Sequence, residues 1–328
     1  MTTRTFNKEM SLLSEIIVCP RCASPMEESA TALRCGSCGN VVPVVDSIPC
    51  FAEPDRFYDE YADVHCPFAE TPKGLKAAVL SALPFWSHRE WRFWREAVPT
   101  GGRLLDLGAG RGKEIFLERA RETVGLDGSL SFLRGCTEHY DAAVLASLPT
   151  LPFGDATFDV VASSHVIGHI AHEDKERLVS EIARVLRPGG TTAHIIETDS
   201  VHPTLQAAKS RPELYRQWLV EQDGHIGLEP ARDVVARFER HGFAPMIFRH
   251  VDAVLPSAMY YHKYLDHPGF ESFPGLGATR ALSRLNRAGP VGNLAYEVGM
   301  GLFHRTVEQW AGDSTRANFI HVSFVKTR

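Results

Sequence analysis

The stretch Arg103-Leu104-Leu105-Asp106-Leu107-Gly108-Ala109-Gly110-Arg111-Gly112 constrains this chain most. An apolar strand ends beside an acid, a glycine-rich turn follows, and Lys113-Glu114-Ile115-Phe116-Leu117 opens an amphipathic helix. Strand, glycine turn and helix in that order form a nucleotide-binding βα unit of an open parallel sheet, because glycine lets the backbone come close to a ligand at the carboxyl end of the strand. The spacing sorts the ligands. A dinucleotide fingerprint needs its third glycine at position 113, which is Lys113, and a phosphate-binding loop needs Ser or Thr where Glu114 stands. Pyrophosphate is therefore disfavoured.

Further units follow in register. Thr123-Val124-Gly125-Leu126-Asp127 reads as a second strand ending in an acid, and a carboxylate there can accept both hydroxyl protons of a ribose. After Leu151-Pro152-Phe153, Thr157 to His165 reads as a fourth strand. Glu173 to Arg187 carries apolar residues at helical spacing (Leu178, Ile182, Val185, Leu186) and stops at Pro188-Gly189-Gly190, and Thr191 to Glu197 reads as a fifth strand.

Leu-Asp-Leu-Gly-Ala-Gly-Arg-Gly, Gly-Leu-Asp, Leu-Pro-Phe, Phe-Asp-Val-Val and Glu-Ile-Ala-Arg-Val-Leu-Arg-Pro-Gly-Gly, taken together, resemble the class I S-adenosylmethionine-dependent methyltransferases. The resemblance covers about 101–251 plus a last strand at 319–326. It implies a doubly wound, seven-stranded, mostly parallel α/β sheet of Rossmann-like form with S-adenosylmethionine as cofactor. It places Asp106, Gly108, Gly110 and Gly112 under the methionine part, Asp127 on the ribose and Ser163, at the end of the fourth strand, near the methionine part. Where the family usually has an Asp for the adenine amino group this chain has Ser147; its hydroxyl can accept that bond, and the Leu148 amide can donate to the ring. Asp159 and Arg184 are read as fold-supporting.

The N-terminal 54 residues tell a separate story. Cys19-Pro-Arg-Cys22 and Cys35-Gly-Ser-Cys38 are two Cys-x-x-Cys pairs that can supply four thiolates to one tetrahedral Zn2+, which leaves Cys50, Cys66 and Cys136 as free thiols. A segment this short gains its folding free energy from the metal. The segment resembles the zinc ribbon of tRNA-methyltransferase activators, which typically ends in an Asp-Gly-Ile-Pro-like stretch; here Asp46-Ser47-Ile48-Pro49 has Ser47 in place of the glycine. Residues 55–100 are expected to form a helical linker or cap.

A sulfonium methyl is already activated, so the protein has to align an acceptor atom with it, exclude water and, for a hydroxyl, remove a proton. The candidates lie after strands four and five: His165, His169, Glu197, Asp199 and His202, with His225 in Gly224-His225-Ile226-Gly227-Leu228-Glu229-Pro230. His165 and then His225 rank first, with His169 third, although for each histidine taken singly a structural hydrogen bond or a solvated loop is the favoured reading. Stretches 199–224 and 252–318 exceed the connections of a minimal sheet and are expected to form a helical lid; an added packing layer or a homodimer face is the alternative. The second stretch holds Met259-Tyr260-Tyr261-His262-Lys263-Tyr264 and an apolar helix from Val291 to Phe303.

Charge bears on the acceptor. With 35 Lys and Arg against 40 Asp and Glu the chain carries a formal charge of −5. Residues 1–56 hold 5 basic and 7 acidic residues, and 252–318 hold 6 of each. Neither added region has the basic footprint of a nucleic-acid binder. The expectation is a cytoplasmic enzyme without a membrane span, methylating a small molecule such as a natural-product, glycosylated or lipid-linked intermediate, most readily on oxygen. The alternatives are an RNA base methyltransferase and a non-catalytic cofactor-binding partner protein.

Overall fold

The computed structural model describes residues 12–29, 31–59, 68–71, 73–75, 89–255 and 277–327. Cys66, the run Met259 to Tyr264 and most of the expected cap between 60 and 88 lie outside them. In chain order the strands are β1 (Met26–Ser29), β2 (Ala32–Cys35), β3 (Val41–Val45) and β4 (Ile48–Pro49), then, after helix α1 (Arg89–Ala97), β5 (Arg103–Leu107). There follow α2 (Glu114–Arg119), β6 (Glu122–Asp127), α3 (Leu130–Cys136), β7 (Ala142–Leu145), β8 (Phe158–Ser164), α4 (Lys175–Val185) and β9 (Leu186–Glu197). The chain closes with α5 (Pro203–Lys209), α6 (Ala231–Arg240), β10 (Phe243–Val251), α7 (Gly277–Asn286), α8 (Gly289–Phe303) and β11 (Phe319–Lys326).

Seven strands form one sheet in the order β10-β11-β9-β8-β5-β6-β7. β5 to β9 pair in parallel and β11 runs antiparallel between β9 and β10. The sheet is Rossmann-like and doubly wound. Alternate residues of one strand feed opposite layers, as the pleat requires. Leu104 packs with Phe93 and Trp94 of α1, Phe116 of α2 and Leu133 of α3. Leu105 packs with Leu178 and Ile182 of α4 and Phe238 of α6. Strand order reverses between β5 and β8, and in such sheets the crevice at the carboxyl ends beside that reversal receives ligands.

Helix α4 is shorter than its apolar spacing predicts, ending at Val185, and β9 starts at Leu186 rather than Thr191. Leu186 pairs with Phe158, so the strand forms before the glycines, and a register shift between Phe158 and Val160 absorbs the extra residues. Arg184 staples the loop before β8 by donating to the carbonyls of Leu151 and Phe153. Asp159 accepts from the Arg103 amide at the foot of β5 at 2.6 Å.

The N-terminal strands form a separate four-stranded antiparallel sheet in the order β1-β2-β3-β4. Its last hairpin turns at Asp46 and Ser47, with φ of 51° and 68°. Two successive positive φ values define the turn type that matches strand twist, which is why glycine is usual where Ser47 stands. The small sheet is joined to the large one. Cys50 bridges to Leu145 on edge strand β7, the Phe51 amide donates to the Leu145 carbonyl at 2.8 Å, and Ile17 bridges to Phe153. Among the described residues no helix is long and apolar enough to cross a membrane.

Candidate active site

The turn after β5 has Gly108, Gly110 and Gly112 at φ of 63°, 56° and 93°, a region that side-chain-bearing residues rarely adopt. Their surroundings differ. A Cβ at Gly108 would lie 2.3 Å from Val166 Cγ2 and one at Gly112 2.8 Å from the Tyr140 ring, whereas a Cβ at Gly110 would meet nothing within 4 Å. Two of the glycines are fixed by packing, and the third faces open space on the ligand side. Asp127, at the end of β6, closes that space: its carboxylate accepts from the amides of Gly110 and Ser129, both at 2.9 Å. Burial pushes the Asp127 carboxyl up to about 6 against those two bonds.

Asp106 lies beneath the turn and is fully buried. The Tyr140 hydroxyl donates to its Oδ2 at 2.9 Å while accepting from the Lys113 amide at 2.8 Å, and the Lys113 ammonium stands 3.4 Å away. Burial raises the Asp106 carboxyl against the pull of Lys113 and Tyr140. Its Oδ1 has no hydrogen-bond partner among the described residues. Ser147 and Leu148 follow β7 on the same edge of the sheet, where the Ala146 amide donates to the Asp127 carbonyl; Ser147 is exposed and Leu148 half-buried. Ser163 points elsewhere: its hydroxyl bonds His194 Nδ1 at 2.7 Å inside the helix layer. Any contact of that position with a ligand would fall to the main chain.

The three histidines singled out in the sequence converge on one carboxylate, Glu197, at the end of β9. His165, at φ 58° just past β8, donates through Nδ1 to Glu197 Oε1, and its Nε2 faces Glu90 of α1 at 3.7 Å. Burial works against charge on this ring, but Glu197 and Glu90 hold it up to about 10, so it is an imidazolium at neutral pH. Glu197 shows the reverse balance, with burial opposed by His165 and His225 and its carboxyl held well below the usual range. His225 is buried, with Nε2 3.8 Å from Glu197 Oε1 and Nδ1 4.0 Å from Asp223. The rings of His169 and His225 lie 4.5 Å apart at 34°.

Local packing explains the convergence. The Gly227 amide donates to the Gly168 carbonyl at 3.0 Å, and a Cβ at Gly227 would fall 1.8 Å from the Ile170 carbonyl oxygen. Glycine there lets segment 224–230 lie flat on the turn that carries His169. Val166, next to His165, is the residue that packs on Gly108, so the histidine cluster adjoins the glycine turn across the strand-order reversal. Residues 55–59 cover the other side. The Asp55 amide donates to the Gly128 carbonyl, Asp59 accepts from Ser129 Oγ at 2.5 Å, and Tyr58 lies edge-on to His169. Tyr140, Glu90, Asp59 and Asp223 had no motif to mark them. Glu197 stood among the candidates after the fifth strand, but its position as the hub required the fold.

Comparison with known proteins bears on this arrangement. Residues 105–194 match the family model described as a methyltransferase domain. The match runs from β5 into β9 and so includes the glycine turn, Asp127 and His165. A tRNA (carboxymethyluridine(34)-5-O)-methyltransferase of Arabidopsis thaliana is 29% identical over 96 residues, which is 29% of this chain and 24% of that protein. An uncharacterized methyltransferase of Mycobacterium sp. (strain JLS) is 33% identical over 143 residues, 42% of this chain and 49% of that one. The chain thus spans half or less of the length of these relatives. Among solved structures, the Haemonchus contortus phosphoethanolamine N-methyltransferase 2 complex with phosphomonomethylethanolamine and S-adenosylhomocysteine has 17% identity and a TM-score of 0.44, covering 73% of this chain and 52% of that one. A chain from the complex of the Haloferax volcanii Trm112 methyltransferase activator with a methyltransferase has 17% identity and a TM-score of 0.48, covering 84% of this chain and 100% of that one.

Outside the matched residues, Cys19 and Cys38 bring their sulfurs to 3.5 Å and Cys22 and Cys35 to 3.4 Å, and the four lie close enough to hold one ion.

Proposed function

We propose that the chain is an S-adenosylmethionine-dependent methyltransferase that methylates a small-molecule acceptor on oxygen, with a structural zinc in its N-terminal ribbon. The observation that carries this reading is the placing of two unlike half-sites side by side on one sheet edge: a glycine turn with two buried carboxylates, and a carboxylate ringed by histidines. When bound, the cofactor supplies an electrophilic methyl on sulfonium sulfur.

The protein's own groups supply the rest. The open face of Gly110 admits a ligand against the backbone. Asp127 uses one lone pair per oxygen on Gly110 and Ser129, which leaves acceptor capacity for two ribose hydroxyls. Asp106 Oδ1 is a buried acceptor suited to the cofactor's ammonium, directly or through water. Across the reversal, the nitrogens of His169 and His225 can orient an acceptor hydroxyl and receive its proton, while Glu197, paired with His165, holds His225 in place. His165 is already protonated and serves to position Glu197.

Three carboxylates, Glu90, Glu197 and Asp223, stand at this end of the site. They would repel a nucleic-acid phosphate, which supports a small acceptor more directly than the net charge does. The tRNA-modifying activity named for the Arabidopsis relative is the second reading. Binding of bulk tRNA that is tight and falls steeply with salt would put it first.

Calorimetric titration with S-adenosylhomocysteine tests the cofactor half. The expected result is one site per chain, weakened about 10- to 100-fold by Asp127→Asn, which loses hydrogen bonds to a charged group. The pH dependence has a definite sign. The Asp127 carboxyl lies at about 6, above its ordinary 3.8. Its contribution to folding stability is therefore full below 3.8 and is lost as pH rises through 6. Cofactor affinity runs the other way, because the ionised form accepts both hydroxyls: it should fall about tenfold per pH unit below 6. No heat with the cofactor product would sink the proposal.

A further inference from the structure

We infer that His169, Glu197 and His225 form a divalent-cation site on the acceptor side of the cleft, distinct from the four-cysteine cluster, and that the cation takes an acceptor oxygen as a further ligand. The inference deepens the methyltransferase reading and rests on it only for the role of that oxygen.

The donor atoms of the three residues lie within 4.8 Å of one another, so one ion can reach all three. Two imidazoles and one carboxylate are a ligand set for borderline first-row ions such as Zn2+, Mn2+ or Fe2+, and three protein ligands leave positions for water or substrate. Glu197 is 6% exposed, and its Oε2 has no hydrogen-bond partner among the described residues, while Oε1 holds His165. A buried carboxylate oxygen left over in this way is costly unless something occupies it. Oε2 lies over Gly168, where a Cβ would sit 3.3 Å from it, one residue before His169.

Charge and outer contacts agree. Glu90 and Asp223 stand beside the cluster as further carboxylates, a lining that suits a cation. Lys175, a buried ammonium near Glu197, is committed to Glu229 at 3.1 Å and to the Gly227 carbonyl. Asp223 lies 4.0 Å from His225 Nδ1, a carboxylate on the outer side of that ring, with Nε2 toward Glu197. With the ion bound, His169, Glu197 and His225 would be ligands rather than bases, so a hydroxyl oxygen on the ion would be acidified and lose its proton to water.

The test is a titration of Co2+ alone into the full chain whose cysteine cluster has first been loaded with Zn2+, followed by visible absorption. One Co2+ per chain is expected, with d–d bands and without the thiolate-to-metal charge transfer that a cysteine site gives. Glu197→Gln should abolish it, and His169→Gln, a milder change at a half-buried position, should weaken it about 10-fold or more. Circular dichroism checks that both variants fold. Absence of Co2+ uptake beyond the cysteine cluster, or uptake unchanged in both variants, overturns the inference. Titration with S-adenosylhomocysteine is run on the same samples, so failure to bind metal and failure to bind cofactor are read separately.

Discussion

Cys35→Ser is expected to unfold the N-terminal ribbon and to take much of the cofactor affinity with it. Cys35 is buried, and its sulfur is one of four that converge where the β1–β4 sheet has little other core. A structural zinc bound by four thiolates contributes on the order of 10 kcal/mol of apparent folding free energy, far more than a sheet of this size gains from its few apolar residues. The loss would not stay local. Met26, Leu33 and Val42 of the ribbon share one hydrophobic cluster with Leu151 and Phe153 of the large domain, and Phe51 hydrogen-bonds β7, whose end carries Ser147 and Leu148. Metal analysis should show one zinc fewer per chain than in the parent protein. Thermal unfolding should move down by many degrees or split into two steps, and S-adenosylhomocysteine should bind at least tenfold more weakly. Prolonged chelation of the parent protein should reproduce the change. A folded, cofactor-binding Cys35→Ser protein would show that the ribbon is an independent appendage.

The second large effect is at Glu197. Glu197→Gln removes the charge that opposes His165 in a partly buried pair, and breaking it should cost about 1–3 kcal/mol, between an exposed and a buried pair, readable as a lower urea midpoint. With any acceptor that supports turnover, the rate should fall about 10²- to 10⁴-fold, the range for disturbing proton transfer in the transition state, because Glu197 positions the histidines that take the proton. Affinity for S-adenosylhomocysteine should stay within about twofold, because Glu197 touches none of Asp106, Gly110 or Asp127. Asp127→Asn gives the opposite pattern, losing cofactor affinity first. The two variants therefore separate the half-sites, and a Glu197→Gln protein with full turnover would remove the histidine cluster from the chemistry.

Parts of this architecture are legible in the residues because their causes are local. Gly108, Gly110 and Gly112 occur where the backbone takes positive φ, Asp127 ends a strand, and the cysteine pairs bring four sulfurs together after two short turns. Ser47 even marks its own departure, standing at a φ that glycine normally supplies. What stayed hidden depends on contacts between distant segments. Tyr140 holds Asp106 from 34 residues away, Glu90 reaches His165 from α1, and His225 meets Glu197 and His169 because segment 224–230 lies on the Gly168 turn. Ser163 shows the limit from the other side. Position alone points it at the cofactor, yet side chains alternate along a strand, and its hydroxyl falls on the His194 face of the sheet.

The central claim is that the glycine turn and the histidine-ringed Glu197 are two halves of one methyl-transfer site. A crystal structure of the full chain with S-adenosylhomocysteine tests it most directly. The ribose hydroxyls are expected on Asp127, the amino acid part over Gly110, and the sulfur turned toward Glu197 and His165 with room between them for one acceptor atom. A ligand whose sulfur faces away from that cluster, or whose ribose sits elsewhere than Asp127, would contradict it.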